Sequence, residues 1–519
     1  MGPTPSRTDA LRRDAQAIWT AAIAAVLPTV LLEKRLAIGK RGHPADELLF
    51  DGRSLNPPVR LDSIDRVSVV GAGKAAAQMA SGVEQLLGRQ RLDRHRTTGV
   101  VSVPEGSAVP LSHIHCRETR PAGANIPTAL AVAATQEMIS MLSTLGPNDL
   151  AIAVVTGGGS ALLVAPREGV SLEDTIAVTN FLSAAGATIQ ELNAVRQAAS
   201  TVKAGGFARA CHAGRLVVLV LSDVVGNRLD VIASGPCMPI PSPAREAFAI
   251  LNRYGVVAAG VASQFVRWIE SEATAVPDVG GSQKAASADG SWTTASGCRV
   301  SHLLIGSNET AVQAAAAEAI HRGYTIQDRG ETIPDRGETI PDRGETIQDR
   351  GYTIPDRDGH DPDAAKASVE AETIGWRLAL EAVGLWQAAR DGRRPLAIIE
   401  GGEATVQVPA DHGTGGRNQQ TVLAAMDCIG SSGGPWPEGL LIASVGTDGE
   451  DGPTDAAGGY SDAAIATLAI AHDLDVTNAA MRCDAYPLLN AVGGLIRTGP
   501  SGTNVADVRI VLARPPSEP

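Results

Sequence analysis

The sequence predicts an α/β protein of two domains, and three observations predict it. The chain has 519 residues, more than a single hydrophobic core ordinarily serves. Short apolar runs recur along it, each ending in a glycine-rich turn and most leading into a helical pattern. Its 56 glycines cluster after those runs, where the backbone must turn sharply or approach a ligand closely. Hydrophobic residues make up 44% of the chain and the mean hydropathy is +0.02, as in soluble globular proteins.

Composition narrows the partners. Aromatic residues are only 3% and the net charge is −13, which argues against stacking platforms and against a phosphate-backbone partner. A small anionic ligand is not excluded, because local field decides there. The six cysteines are scattered with no C-x-x-C pair, so neither a disulfide framework nor a zinc site is expected. No n-region followed by an apolar stretch opens the sequence, and no apolar span long enough for a membrane occurs in it. The expected location is the cytoplasm.

From Arg12 to about Leu36 apolar residues recur at helical spacing, with a break expected at Pro28. Val67–Val70 is a strand that runs into Gly71-Ala72-Gly73-Lys74 and a small-residue helix. Strand, glycine turn and helix together form a setting for an anion at a helix start. The turn lacks the third glycine of the dinucleotide fingerprint and is not a P-loop. Lys74 is placed in the first helical turn, where a cation is disfavoured unless it meets an anion. Strands at 99–103 and 151–155 follow, with a helix at 127–145 between them. After the second of these strands, Thr156-Gly157-Gly158-Gly159-Ser160 reads as a nest of backbone donors. The G-x-S-x-G elbow of a serine hydrolase is absent.

Glu191-Leu192-Asn193-Ala194-Val195-Arg196 opens a helix on which Arg196 and Lys203, seven residues apart, are expected to share a face and point at one anion. A solvated basic face is the plainer alternative. The apolar run 216–221 is a central strand, which puts Asp223 just past its carboxyl end, the edge where open α/β sheets bind ligands. Residues 270–297 lose periodicity and read as a linker. A strand at 301–305 leads to Asn308 and an alanine-rich helix.

Residues 325–359 form a seven-residue tandem repeat. Every unit carries Gly or Pro and only one strongly apolar residue, so no coiled-coil seam can form, and the repeat reads as a disordered or loosely extended insertion. Beyond it lie a helix at 372–389, a strand at 396–399 leading to Glu403, and the turn Gly415-Gly416-Arg417 entering another helix. An arginine there can fork onto phosphate oxygens. The strand 440–445 ends in a loop of Thr447, Asp448, Asp451 and Asp455 among five glycines. Its aspartates are hard oxygen donors suited to Mg²⁺, although such a loop is more often a solvated acidic turn.

As an ordered set, GAGKAA (71–76), TGGGSALL (156–163), ELNAVR (191–196), SDVVGN (222–227), GSNETA (306–311), EGGEATV (400–406), GGRNQQ (415–420), GTDGEDGPTDAAG (446–458) and TGPSGTNVAD (498–507) resemble the glycerate 2-kinase family. Some of its members are labelled hydroxypyruvate reductases. The resemblance runs from about Arg12 to Leu512, apart from the linker and the repeat. It implies an N-terminal domain at 12–245 with a Rossmann-like, mainly parallel sheet. It also implies a C-terminal α/β domain of the MOFRL type at 246–515, with the active site in the cleft between the two. The implied reaction is ATP-dependent phosphorylation of D-glycerate to 2-phosphoglycerate with Mg²⁺ or another divalent metal. The implied partners are small molecules, with no nucleic acid and no membrane, and a homodimer is compatible.

Carried over by position, Lys74, Asp223 and Arg417 match catalytic residues. Substrate contacts are expected from Arg196, Ser160, Gly158, Gly159 and Asn193. Nucleotide contacts are expected from Gly71, Gly73, Asn308, Glu403, Gly415, Gly416 and Thr447, and metal contacts from Asp448, Asp451 and Asp455. The family pattern is broken at Asn227, Cys237, Ile240 and Ala204. Two other readings stand beside the kinase: a nicotinamide-dependent hydroxypyruvate reductase, and a catalytically silent binder of sugar acids or nucleotides.

The repeat carries its own prediction. Tyr-Thr-Ile occurs at 324–326 and again at 352–354, so deleting residues 325–352 joins Tyr324 to Thr353 and restores one uninterrupted passage. Doubling a flexible loop costs only about 0.6 kcal/mol of closure entropy. The deleted protein is therefore expected to melt at the same temperature or slightly higher and to keep its activity. A collapse of either would mean that the repeat packs against the fold.

Overall fold

A computed structural model describes residues 7–39, 46–123, 126–241, 243–275, 287, 290–327 and 370–515. They form two compact units: residues 27–307 with 502–504, and residues 7–26, 308–501 and 505–515. The boundary expected at 245/246 thus moves to 307/308, because Arg299–Gly306 is a strand of the first sheet. The helical pattern at the start of the chain is two helices, Arg7–Ala25 and Pro28–Arg35. Proline opens the second, where its missing N–H leaves no bond unmade. Among the described residues no single helix is long and apolar enough to cross a membrane.

In the first unit a small antiparallel sheet, β1 (Leu36–Ile38), β2 (Glu47–Phe50) and β3 (Arg53–Arg60), precedes the main one. The main sheet contains β4 (Val67–Ala72), β5 (Thr98–Pro104), β6 (Ile114–Arg120), β7 (Leu150–Thr156), β8 (Arg215–Leu221), β9 (Trp292–Thr293) and β10 (Arg299–Gly306). Their order is β6-β5-β4-β7-β8-β10-β9, parallel except for the β9 edge. The edge strand β9 falls inside the stretch read from sequence as a linker, of which 276–286 and 288–289 lie outside the described residues.

Strands β4, β7 and β8 are buried along their whole length, which explains their unbroken apolar runs. The helix Ala129–Ser143 covers one face through Ala134, Met138 and Leu142, against Val70, Val100, Ala153 and Val155. From β4 the chain builds outward through β5 and β6, then returns to lay β7, β8 and β10 on the other side. The reversal lies between β4 and β7, and crevices at such reversals are where open α/β sheets take ligands. A separate cluster of four helices (Leu172–Ala184, Ile189–Ala198, Ala244–Arg253 and Ser263–Thr274) packs around Phe265, Ile269, Leu251 and Val195.

The second unit holds β11 (Thr325–Ile326), β12 (Leu396–Gly402), β13 (Leu440–Gly446), β14 (Gly458–Asp462), β15 (Leu495–Ile496) and β16 (Asp507–Ala513). Their order is β11-β12-β16-β13-β14-β15, parallel only at β11–β12. Thr325 and Ile326, the first residues of the repeat, are thus a strand, and the repeat from 328 onward lies outside the described residues. The helices Ala371–Asp391 and Arg417–Ser431 pack on the sheet and on each other through Ile374, Leu378, Val422, Leu423 and Met426. Arg12 on the first helix bonds Asp462 at 2.7 Å. Asp14, two residues on, is met by Arg322, Tyr324 and Arg514.

The start of the Arg417–Ser431 helix is capped from a distance. Its N-cap is Gly416, which has no side chain, and a Cβ there would lie 2.3 Å from the Asp451 carboxyl carbon. Asp451 caps instead, accepting the N–H of Asn418 at 3.0 Å and of Gln419 at 2.9 Å. Asp451→Ala leaves both donors unmet in a buried place, and caps of this kind are worth about 1–2 kcal/mol. The expected result is a lowered urea midpoint with an unchanged slope. An unchanged midpoint would show that the cap is dispensable.

Candidate active site

The reversal between β4 and β7 works only without side chains. Gly71 and Gly73 have φ of +152° and +140°, and a Cβ on either would lie 2.0 Å from Val154 O or from Thr156 Oγ1 respectively. The two glycines therefore let β7 come close, and Thr156 Oγ1 accepts the Ala75 N–H at 3.2 Å. Both glycines, expected from sequence to contact a nucleotide, thus also serve strand packing. Lys74 lies in the turn before the Ala76–Arg94 helix, not in its first turn, with its N–H on Gly157 O at 2.9 Å.

The Gly157-Gly158 turn at the end of β7 gathers groups from both sides. A Cβ on Gly157 would lie 2.0 Å from Asp223 Oδ2 and 2.2 Å from Asn504 Nδ2, whose amide donates to that carboxylate at 3.3 Å. A Cβ on Gly158 would lie 3.1 Å from Lys74 Cγ and 3.5 Å from Arg120 Nη2. The turn thus carries a carboxylate and an amide over its first glycine and two cations beside its second. Arg120, buried at the end of β6, and Asn504 escaped the sequence reading. Arg120 has no motif around it, and Asn504 stands 281 residues from Asp223.

Beyond the turn, Gly158 adopts the left-handed conformation that starts the one-turn helix Gly159–Leu162. Ser160 Oγ meets Ser234 Oγ at 3.0 Å, and Ser234 donates to Asn193 Oδ1 at 3.2 Å. Asn193 is therefore a support for the serine pair. Ala233 and Ser234 carry φ of +50° and +63°, a costly conformation for residues with a side chain, which aims the Ser234 hydroxyl. The helix bearing Arg196 ends at Ala198, so Lys203 does not share it. Both cations nevertheless line one pocket with Ser160. Lys203 Nζ donates to Ser160 O at 3.0 Å. Burial, with the Arg196 charge added, pushes the Lys203 ammonium down to about 7.

In the second unit Arg417 is already engaged. It pairs with Glu403 at 2.5 Å and with Asp507 at 2.8 Å. Against the cost of burial, these carboxylates hold the guanidinium well above its ordinary pKa. Asn418 joins them, donating to Asp507 at 3.0 Å. Sequence reading passed over Asp507 and Asn418, because each looks like an ordinary residue of its own segment. Other expected nucleotide contacts have internal partners. Asn308 donates to Val505 O and Asp507 O, and Thr447 donates to Ala506 O while accepting the Val505 N–H. Gly415 packs near Ala485.

The three aspartates expected to hold a metal do not form a coordination set. Asp448 accepts the Glu450 N–H at 3.1 Å. Asp451 is the helix cap, and burial pushes its carboxyl up to about 7 against the pull of its two backbone donors. Asp455 is exposed and bound by Tyr486 at 2.8 Å and Arg497 at 3.0 Å. Among the described residues no three metal-ligating side chains converge. Spacing in a loop could not reveal this, since each carboxylate points where its own partner lies.

Of the positions that break the family pattern, Cys237 is buried in the first unit's core, and Asn227 holds φ of +53°, which asparagine tolerates better than most residues. Residues 14–270 match a domain of unknown function, DUF4147, and residues 396–507 match the MOFRL family. The chain is 33% identical to the glycerate kinase of Homo sapiens over 98% of this chain and 94% of that one. It is also 33% identical to a putative hydroxypyruvate reductase of Agrobacterium vitis, over 86% of this chain and 99% of that one. The solved glycerate kinase of Thermotoga maritima superposes with a TM-score of 0.68 at 30% identity, covering 97% of this chain and 100% of that one. This chain belongs to the glycerate kinase family.

Proposed function

We propose that this protein transfers the terminal phosphoryl group of ATP to the 2-hydroxyl of D-glycerate, giving 2-phosphoglycerate and ADP. The observation that carries the reading is the Gly157-Gly158 turn, with Asp223 over one glycine and Lys74 over the next. Phosphoryl transfer asks a protein chiefly for positioning and for charge compensation. Asp223 accepts the hydroxyl proton as the oxygen–phosphorus bond forms and the bond to the departing ADP breaks. Lys74 and Arg120 offset charge on the moving group, which is worth most where it builds up in the transition state. Arg196 clamps the glycerate carboxylate, and the Gly158–Ser160 backbone orients the acceptor. Arg417 keeps a proposed role as a catalytic cation, its orientation fixed by Glu403 and Asp507. The aspartates of the acid loop are not assigned to a metal in this reading, and no step is drawn through one.

A hydride-transfer reading draws less support. Gly71 and Gly73 are taken up by β7, and the turn has no third glycine for a dinucleotide pyrophosphate.

Incubation with ATP, Mg²⁺ and D-glycerate is expected to yield ADP and 2-phosphoglycerate, identified by NMR. NADH should stay unoxidised with hydroxypyruvate. NADH oxidation without phosphoryl transfer would overturn the assignment, and binding without turnover would favour a silent binder. Asp223→Asn is expected to lower kcat by about 10²-fold or more with little change in KM. Gly157→Ala should do the same, because its methyl would occupy the place of Asp223 Oδ2. A loss of only about tenfold in a folded Asp223→Asn protein would remove Asp223 from the role of base.

A further inference from the structure

Among the described residues, the pocket of Arg196 and Lys203 is lined by two cations and no acid. Ser160, Thr175, Thr179 and Asn180 bring hydroxyls and an amide to it. Every other strongly buried cation discussed above has a carboxylate or a defined place beside the Gly157-Gly158 turn. Here the arginine on the Ile189–Ala198 helix is held mostly out of water with no ion pair among the described residues, and the lysine beside it donates to the Ser160 carbonyl. Two like charges enclosed together raise each other's energy, and an anion from outside is what would relieve both. A planar guanidinium fork beside a single ammonium suits the two oxygens of a carboxylate.

We propose that Lys203 is a second substrate-binding residue, and that the carboxylate of a small hydroxy acid docks between it and Arg196. The proposal rests on D-glycerate being the acceptor, and it adds the residue that selects acids over neutral polyols. Through its bond to Ser160 O, Lys203 also ties the carboxylate pocket to the segment that follows the Gly157-Gly158 turn.

A consequence follows for protons. Among the described residues Arg196 is the charged group acting on Lys203, and the other polar groups lining the pocket are neutral. Lys203 titrates at about 7 in the ligand-free protein, so at pH 8 it is largely neutral. A bound carboxylate favours the ammonium and draws a proton in. Binding of D-glycerate is therefore accompanied by proton uptake at pH 8, and its apparent affinity falls as pH rises above 7.

The test is calorimetric titration of D-glycerate into the full-length protein at pH 8, in two buffers of different ionisation heat, with steady-state kinetics alongside. The wild type is expected to take up most of one proton per site, and glycerol to cause none. Lys203→Met is expected to raise KM for D-glycerate about tenfold or more, leave kcat within about threefold, and abolish the uptake. Lys203→Arg keeps the charge without the titration, so it should bind D-glycerate with no uptake. If Lys203→Met does not fold, the wild type and Lys203→Arg still decide. Binding without uptake in the wild type, or an unchanged KM in a folded Lys203→Met, overturns the proposal. Uptake driven by inorganic phosphate and not by D-glycerate overturns the carboxylate assignment. Uptake with D-glycerate but no ADP formation supports the pocket and defeats the kinase reading, whereas kinase activity without uptake does the reverse.

Discussion

No side chain fits where β4 and β7 end side by side, and the first unit is arranged around that steric fact. Without Cβ atoms at 71 and 73, the two strand ends close to within contact of each other's backbone. The Gly157-Gly158 turn then lies next to Lys74, and Asp223 from β8 can fold over it from the other side. A methyl group at 157 would displace the carboxylate itself. The glycines commonly read as ligand cradles here first satisfy the packing of the sheet. Ligand access follows from the turn geometry that this packing leaves.

The buried cations around the two candidate clusters are treated in opposite ways. In the second unit, Arg417 is neutralised by Glu403 and Asp507, and Asn418 and Ser444 complete the polar cluster. Such a cluster fixes orientation, since a buried pair with its hydrogen bonds met is costly to break. In the first unit no carboxylate among the described residues neutralises Arg196 and Lys203. Leaving them so sacrifices stability in the ligand-free protein. A group in a pocket whose protonation is strongly shifted by burial and a like charge is a candidate functional residue. The left-handed Ala233 and Ser234, which hold a hydroxyl against Ser160, are a second local cost in the same region.

The acid loop that looks most like a ligand site in sequence is largely architecture. Asp451 replaces the cap that Gly416 cannot supply, Asp455 joins Tyr486 and Arg497, and Thr447 ties the loop to the start of β16. Because β16 enters the sheet between β12 and β13, the residues around its first position, Asp507, become the meeting point of Asn308, Arg417 and Asn418. The last strand of the chain thereby organises residues from two earlier segments.

By itself the sequence determined the long buried strands β4, β5, β7, β8, β10, β12, β13 and β16, because burial on both faces demands unbroken apolar runs of strand length, whereas the short and edge strands such as β9 carry no such run. It also determined that Asp223, Lys74 and the 156–160 turn follow strand ends, since that order is local. The family was legible as well, from many ordinary motifs in a fixed order. Tertiary structure alone decided the partners. Arg120 and Asn504 join the turn from distant segments, and β10 belongs to the first sheet. Lys203 shares a pocket with Arg196 without sharing its helix, and the three aspartates diverge. The physical reason is one of range: backbone propensity and apolar periodicity act within a few residues, whereas the direction of a charged side chain is set by whichever donor, acceptor or void the fold brings beside it.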